Sequence, residues 1–152
     1  MKILRIYADT SIFGGCFDEE FTLLSIKFFE EVKAGRFFLV ISDATRFELQ
    51  GAPHKVKQVL FSLPDHCYEI IEESEEVIEL RNAYLKAEVL TENSILDATH
   101  VAYASVAEVD IIISWNFKDI VHFQKIRGFH AVNLMRGYPL VDIYSPMEVI
   151  EP

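Results

Sequence analysis

The sequence predicts an α/β fold on a mostly parallel sheet. Short apolar runs alternate with longer stretches of helical periodicity. The helical stretches fall between the apolar runs, so successive strands are joined by crossovers, which favours parallel pairing. No internal repeat or low-complexity linker divides the 152 residues, a length suited to one well-developed core and short for two.

Taken in order, residues 2–8 read as a central strand, and residues 20–34 as a helix whose broad apolar face is supplied by Leu23, Leu24, Ile26, Phe28, Phe29 and Val32. Residues 37–41 are the next strand, with Gly35 placed where a helix C-terminus often needs positive φ. Ser42 and Asp43 can cap a short helix through Glu48 and Leu49. Gly51-Ala52-Pro53 resets the chain before a helix through Val56, Val59 and Leu60. Residues 67–71 form a short strand and residues 75–88 a helix, and a further helix starts at Asn93 or Ser94 and runs through Ala107. Residues 109–114 read as a buried strand, residues 117–126 as containing a helix, and residues 130–134 as a last strand. From about residue 134 the tail, with Gly137, Pro139 and Pro146, is expected to be turn-rich; its residues could cover that strand, and Met135 and Tyr144 could equally form a partner surface.

With 51% hydrophobic and 25% charged residues, the composition points to a folded protein rather than a disordered one. The sequence opens on no secretory pattern and has no apolar run of bilayer length, so a cytoplasmic location without a membrane partner is expected. Cys16 and Cys67 lack the spacing of a zinc or redox motif and read as buried fillers. The formal charge of −10 argues against long-range attraction to nucleic acid, though not against catalysis on a phosphodiester.

Three acids stand out by position. Asp9 follows the first strand, Glu48 lies on the helix after the second between Phe47 and Leu49, and Asp97 opens a later helix among Ile95, Leu96 and Ala98. Glu48 and Asp97 interrupt apolar surroundings, and Asp9 stands where an apolar run gives way to small hydroxyl residues, unlike the acidic run around Glu72 to Glu76, which reads as a solvated helix face. Such positions can meet at the carboxyl edge of a parallel sheet, where Mg²⁺ or Mn²⁺ would relieve the mutual repulsion. Solvated caps are the plainer reading of the same acids. Thr10, Ser11 and Ser114 could orient phosphate or water, or cap helices; Arg46 and Lys118 are the nearest cations in sequence. For His100 a structural role is favoured, and for Trp115 packing.

The segments Asp9-Thr10-Ser11, Ile41-Ser42 followed by Glu48, Leu96-Asp97-Ala98-Thr99-His100, and Val109 through Asn116 resemble, in that order, the PIN-domain ribonuclease family, especially the VapC-type toxins of toxin–antitoxin pairs. The resemblance implies a three-layer α/β/α fold over a single domain, 1–152. It also implies a Mg²⁺ or Mn²⁺ site and hydrolysis of single-stranded or looped RNA. Asp9, Glu48 and Asp97 match the first three acidic positions, and Asn116 stands where a fourth acid is usual. All four are thereby candidate catalytic and metal-binding residues, with Asp119 displaced nearby. A small antitoxin protein is the implied partner, and a homodimer is left open. Two alternatives remain: a phosphatase-like enzyme, weakened because Asp9-Thr10-Ser11 lacks a DxD pair, and a catalytically weak PIN-like RNA-binding or protein-interaction module, favoured by Asn116 and the acidic charge.

Overall fold

A computed structural model describes residues 2–151. At its centre is β1 (Leu4–Ala8). On one side lie β2 (Phe37–Ser42) and β3 (Tyr68–Ile71), and on the other β4 (Ile111–Ile113) and β5 (Asp142–Tyr144), giving the order β3-β2-β1-β4-β5. Every pairing is parallel, with Ile6 opposite Leu39 on one flank and Ile111 on the other. The connections carry α1 (Thr10–Gly15), α2 (Thr22–Lys33), α3 (Asp43–Gln50), α4 (His54–Phe61), α5 (Glu75–Lys86), α6 (Ile95–Val106) and α7 (Phe123–Arg136), and α8 (Pro146–Val149) follows β5. Among the described residues no helix is long and apolar enough to cross a membrane.

Alternation along the strands divides the core into two halves. Ile6 and Ala8, with Leu39 and Ile41, pack on a layer containing Phe13 of α1, Phe28 of α2, Leu49 of α3 and Leu60 of α4. Tyr7 and Val40 point the other way, toward Leu80 and Tyr84 of α5, Val101 of α6 and Phe129 of α7. The architecture is the expected three-layer α/β/α fold. Because both faces of the sheet are covered, its central strands read in sequence as continuous apolar runs. Cys16 and Cys67 are both buried and free, as small core fillers.

The chain builds outward from β1 through β2 to β3, then returns by way of α6 to place β4 on the opposite side of β1. A reversal of that kind opens a crevice beyond the carboxyl ends of the two strands involved. Asp9 follows β1 at that point, and residues 114–116 follow β4.

Several local expectations are corrected. Residues 130–134 are not a strand but part of α7, whose Ile126, Phe129 and Val132 recur at helical spacing, with Phe129, Val132 and Asn133 buried. Within α7, Gly128 lies where a Cβ would come within 2.8 Å of Val89, so the glycine permits a close approach. Residues 117–120 form a turn, and α7 begins only at Phe123, where His122 Nδ1 accepts the Gln124 N–H at 3.2 Å. The tail does more than turn: β5 extends the sheet beside β4, and Ser145 with Glu148 caps α8. Helix α1 has too few residues to show a period, and went unforeseen. Gly35 and Gly137 do adopt left-handed backbone, with φ of 79° and 80°.

Candidate active site

Asp9 is the first residue beyond β1 and is only 4% exposed. Two hydroxyls donate to its carboxylate, Ser11 Oγ to Oδ1 at 2.5 Å and Ser114 Oγ to Oδ2 at 2.7 Å. Ser114 comes from the end of β4, so this one carboxylate ties the two switch-point strands together. Ser11 Oγ also accepts the Trp115 N–H at 2.9 Å, and Ser114 Oγ the Asn116 N–H at 2.9 Å. Burial pushes the Asp9 carboxyl above its ordinary range, against the pull of His100 and the two serines.

Glu48 is carried by α3, whose start is set by Thr45 Oγ1 accepting the Ser42 N–H at 3.2 Å. Both donors that reach Glu48 use the same oxygen: Thr10 Oγ1 lies 2.8 Å and His100 Nε2 2.5 Å from Oε1. Burial pushes this carboxyl up, but the hydrogen bond and charge of His100, with Thr10, outweigh it and leave Glu48 below the usual range. An ionised carboxylate only accepts, so Nε2 carries a proton. His100 is 1% exposed, and its Nδ1 lies 2.7 Å from the Tyr7 hydroxyl, itself 2.6 Å from Ser42 Oγ. Burial disfavours the imidazolium, whereas Glu48, Asp9 and Asp97 favour it and prevail, raising His100.

Asp97, in the first turn of α6, is pushed up to about 6, first by burial and then by the charge of Asp9. Asp119 adds to the rise, while His100 and the Asn116 side chain oppose it. Asn116 Oδ1 accepts the N–H groups of Lys118 at 3.2 Å and Asp119 at 2.9 Å, so its amide NH₂ is the end left to face Asp97. Asp119 accepts from Ser94 Oγ at 3.0 Å.

Asp9, Glu48, Asp97 and Asn116 thus line one cavity of about 330 Å³, together with Thr10, Ser11 and His100. Arg46 is not among the lining residues; it pairs with Asp43. Lys118 is exposed outside it. Trp115 packs: its ring stacks on Phe21 with centroids 4.1 Å apart, and Nε1 donates to Ser25 Oγ at 2.8 Å. Tyr7 and Ser42 were missed as site supports. The available signal was a tyrosine inside the central strand, since a buried phenol needs a partner.

As the side chains lie, no three His, Cys, Asp or Glu among the described residues are grouped to hold a metal ion. The donor chemistry itself suits a hard divalent cation. Its carboxylates are oxygen ligands, Glu48 Oε2 has no hydrogen bond among the described residues, and the Asp97 carboxyl is held up in part by a neighbouring charge that a cation would offset.

No family model matches the sequence, and no curated protein matches it. Solved structures do. One is a chain in the crystal structure of VapBC2 from Rickettsia felis bound to a DNA fragment from their promoter, with a TM-score of 0.60 over 93% of this chain and 98% of that one at 14% identity. The two backbones share one fold. FitAcB from Neisseria gonorrhoeae is similar over the same shares of each chain, with a TM-score of 0.56 and 16% identity. At such identities the likeness is one of backbone, and what the fold does here rests on the side chains at its switch point.

Proposed function

We propose that the chain is a Mg²⁺- or Mn²⁺-dependent endoribonuclease that hydrolyses phosphodiester bonds in single-stranded or looped RNA, and that it is the toxin of a toxin–antitoxin pair. The observation that carries this reading is the meeting of Asp9, Glu48 and Asp97, from three distant segments, in one cavity at the switch point of a PIN-like sheet. In this reading those three carboxylates hold the ion. When bound, the ion would offset phosphate charge and activate a water for in-line attack.

The chain's own residues have separable parts. Asp9, held at both oxygens by Ser11 of α1 and by Ser114 just beyond β4, is a rigid anchor. Glu48 is held by Oε1 alone, which leaves Oε2 to a ligand. Asp97, raised by burial and by the charge of Asp9, must be ionised to hold the ion, and the Asn116 amide steadies that charged form. Coordination through the Asn116 oxygen would require turning the amide away from the N–H groups of Lys118 and Asp119, so Asn116 serves as an orienting group in this reading.

The likeness to VapBC2 supports pairing with a second small protein. Exposed Phe47, Leu96 and Phe117 adjoin Glu48, Asp97 and Asn116 in sequence, and the net charge is −10. An inhibitory partner that offers an apolar segment and a cationic side chain would complement both. One observation favours a second reading, a catalytically weak RNA-binding or protein-interaction module: an amide replaces the fourth acid of the resembled family, and its oxygen is engaged by a turn.

The deciding experiment is cleavage of a panel of looped RNAs by the purified chain, freed of any partner, with Mg²⁺, Mn²⁺ or chelator. Metal-dependent cleavage lost in Asp9→Asn, Glu48→Gln and Asp97→Asn is expected. Intact RNA across the panel, with folding and ion occupancy demonstrated, would favour the binding module.

A further inference from the structure

We propose that Tyr7 is a positioning residue for Glu48, acting through His100; this rests on the metal-dependent reading of the site. Tyr7 and His100 form a buried hydrogen-bonded line that runs from the middle of the sheet to the wall of the cavity. Tyr7 is 0% exposed, its hydroxyl lies 2.7 Å from His100 Nδ1, and His100 Nε2 lies 2.5 Å from Glu48 Oε1. Water does not compete for bonds made at that depth, so each constrains the next more firmly than it would at the surface.

The line has a task that packing alone does not explain. A phenylalanine at position 7 would fill the same layer between Val40 and Ile112, its neighbours in register on β2 and β4. The hydroxyl adds contacts to two supports of Glu48: Ser42 Oγ, on the residue from which α3 starts, and the imidazole that bonds the carboxylate directly. With Nδ1 held, the ring cannot rotate without losing a buried bond, and the Nε2 proton stays aimed at Oε1. Thr10 donates to the same oxygen. Glu48 is therefore pinned by one oxygen, and the other remains without a hydrogen bond among the described residues, which is the arrangement a monodentate ligand needs.

The test is a Mn²⁺ titration by calorimetry on the whole chain as wild type, Tyr7→Phe, Glu48→Gln and the double variant, with circular dichroism to verify folding. Tyr7→Phe is expected to weaken Mn²⁺ binding about 10-fold, the lower end of what loss of an outer hydrogen-bond partner costs a metal site. In the Glu48→Gln background the same change should alter affinity less than about twofold, because the contact through which Tyr7 acts is already gone. In metal-free protein, the His100 Nε2 proton should give a protected nuclear magnetic resonance signal in wild type and exchange faster in Tyr7→Phe. If Tyr7→Phe does not fold, His100→Gln carries the test, with a loss of affinity expected when Glu48 is present and none in Glu48→Gln. Equal losses in both backgrounds, or an unchanged affinity and His100 signal in Tyr7→Phe, would overturn the proposal alone. Wild-type Mn²⁺ affinity in Glu48→Gln would overturn the reading of the site beneath it.

Discussion

Asp97→Asn is expected to stabilise the metal-free protein while abolishing its response to divalent ions. Burial, and then the charge of Asp9, raise the Asp97 carboxyl from 3.8 to about 6. A carboxyl that binds its proton more tightly when folded favours the native state at low pH. That advantage is lost as pH rises from 3.8 through about 6, and above this window the charged side chain opposes folding. The full difference corresponds to about 3 kcal/mol, and partial solvent access at the cavity reduces it to on the order of 1–2 kcal/mol. For a chain of this size that is a rise in Tm of about 2–8 °C. Melting in chelator at about pH 7.5 and again at about pH 5 measures it, and the gain should shrink at the lower pH, where wild-type Asp97 is largely protonated. With saturating Mn²⁺ at the higher pH the order should reverse, because only the wild type gains binding energy from the ion. A variant that melts at or below wild type in chelator at about pH 7.5, or one with the same gain at both pH values, would refute the placing of an unfavourable charge at Asp97.

Asn116→Asp should keep the backbone bonds at Lys118 and Asp119 but put a charge where the amide faces Asp97; a Tm in chelator lowered by about 2–4 °C, together with tighter Mn²⁺ binding, is the expected pair of results. Ser114→Ala removes one of the two hydroxyls that hold buried Asp9, and should cost about 1–3 kcal/mol by urea denaturation, with an unchanged midpoint counting against the bond. Gly128→Ala gains about 1 kcal/mol of helix propensity but overpacks against Val89, for a net loss on the order of 1 kcal/mol. Combined with Val89→Ala it should cost less than the two changes summed, whereas strict additivity would show that the close approach is relaxed at no cost.

Residues 130–134 show where local reading fails. His130-Ala131-Val132-Asn133-Leu134 satisfies a strand period as readily as a helical one, and Gly128 lies just ahead of it. Only the contact with Val89 shows that the glycine serves packing. The three residues of β5 are likewise too few to carry a period, and their pairing depends on the edge that β4 offers.

The sequence by itself determined the alternation of helices and strands, the covered faces of the sheet, and the three acids at element ends, because dihedral preference and the period of burial are local energies that a short window contains. The order of the motifs that carry the family resemblance added the layer arrangement. Only the tertiary structure decided that Ser11 and Ser114 share Asp9, that the Asn116 oxygen belongs to a turn, and that Tyr7, Ser42 and His100 stand behind Glu48. Those bonds join residues up to 105 positions apart, at distances set by strand register and by the docking of α6 on the sheet. A hydrogen bond falls off within a fraction of an ångström, and no property of the separate segments fixes a distance that closely before they pack.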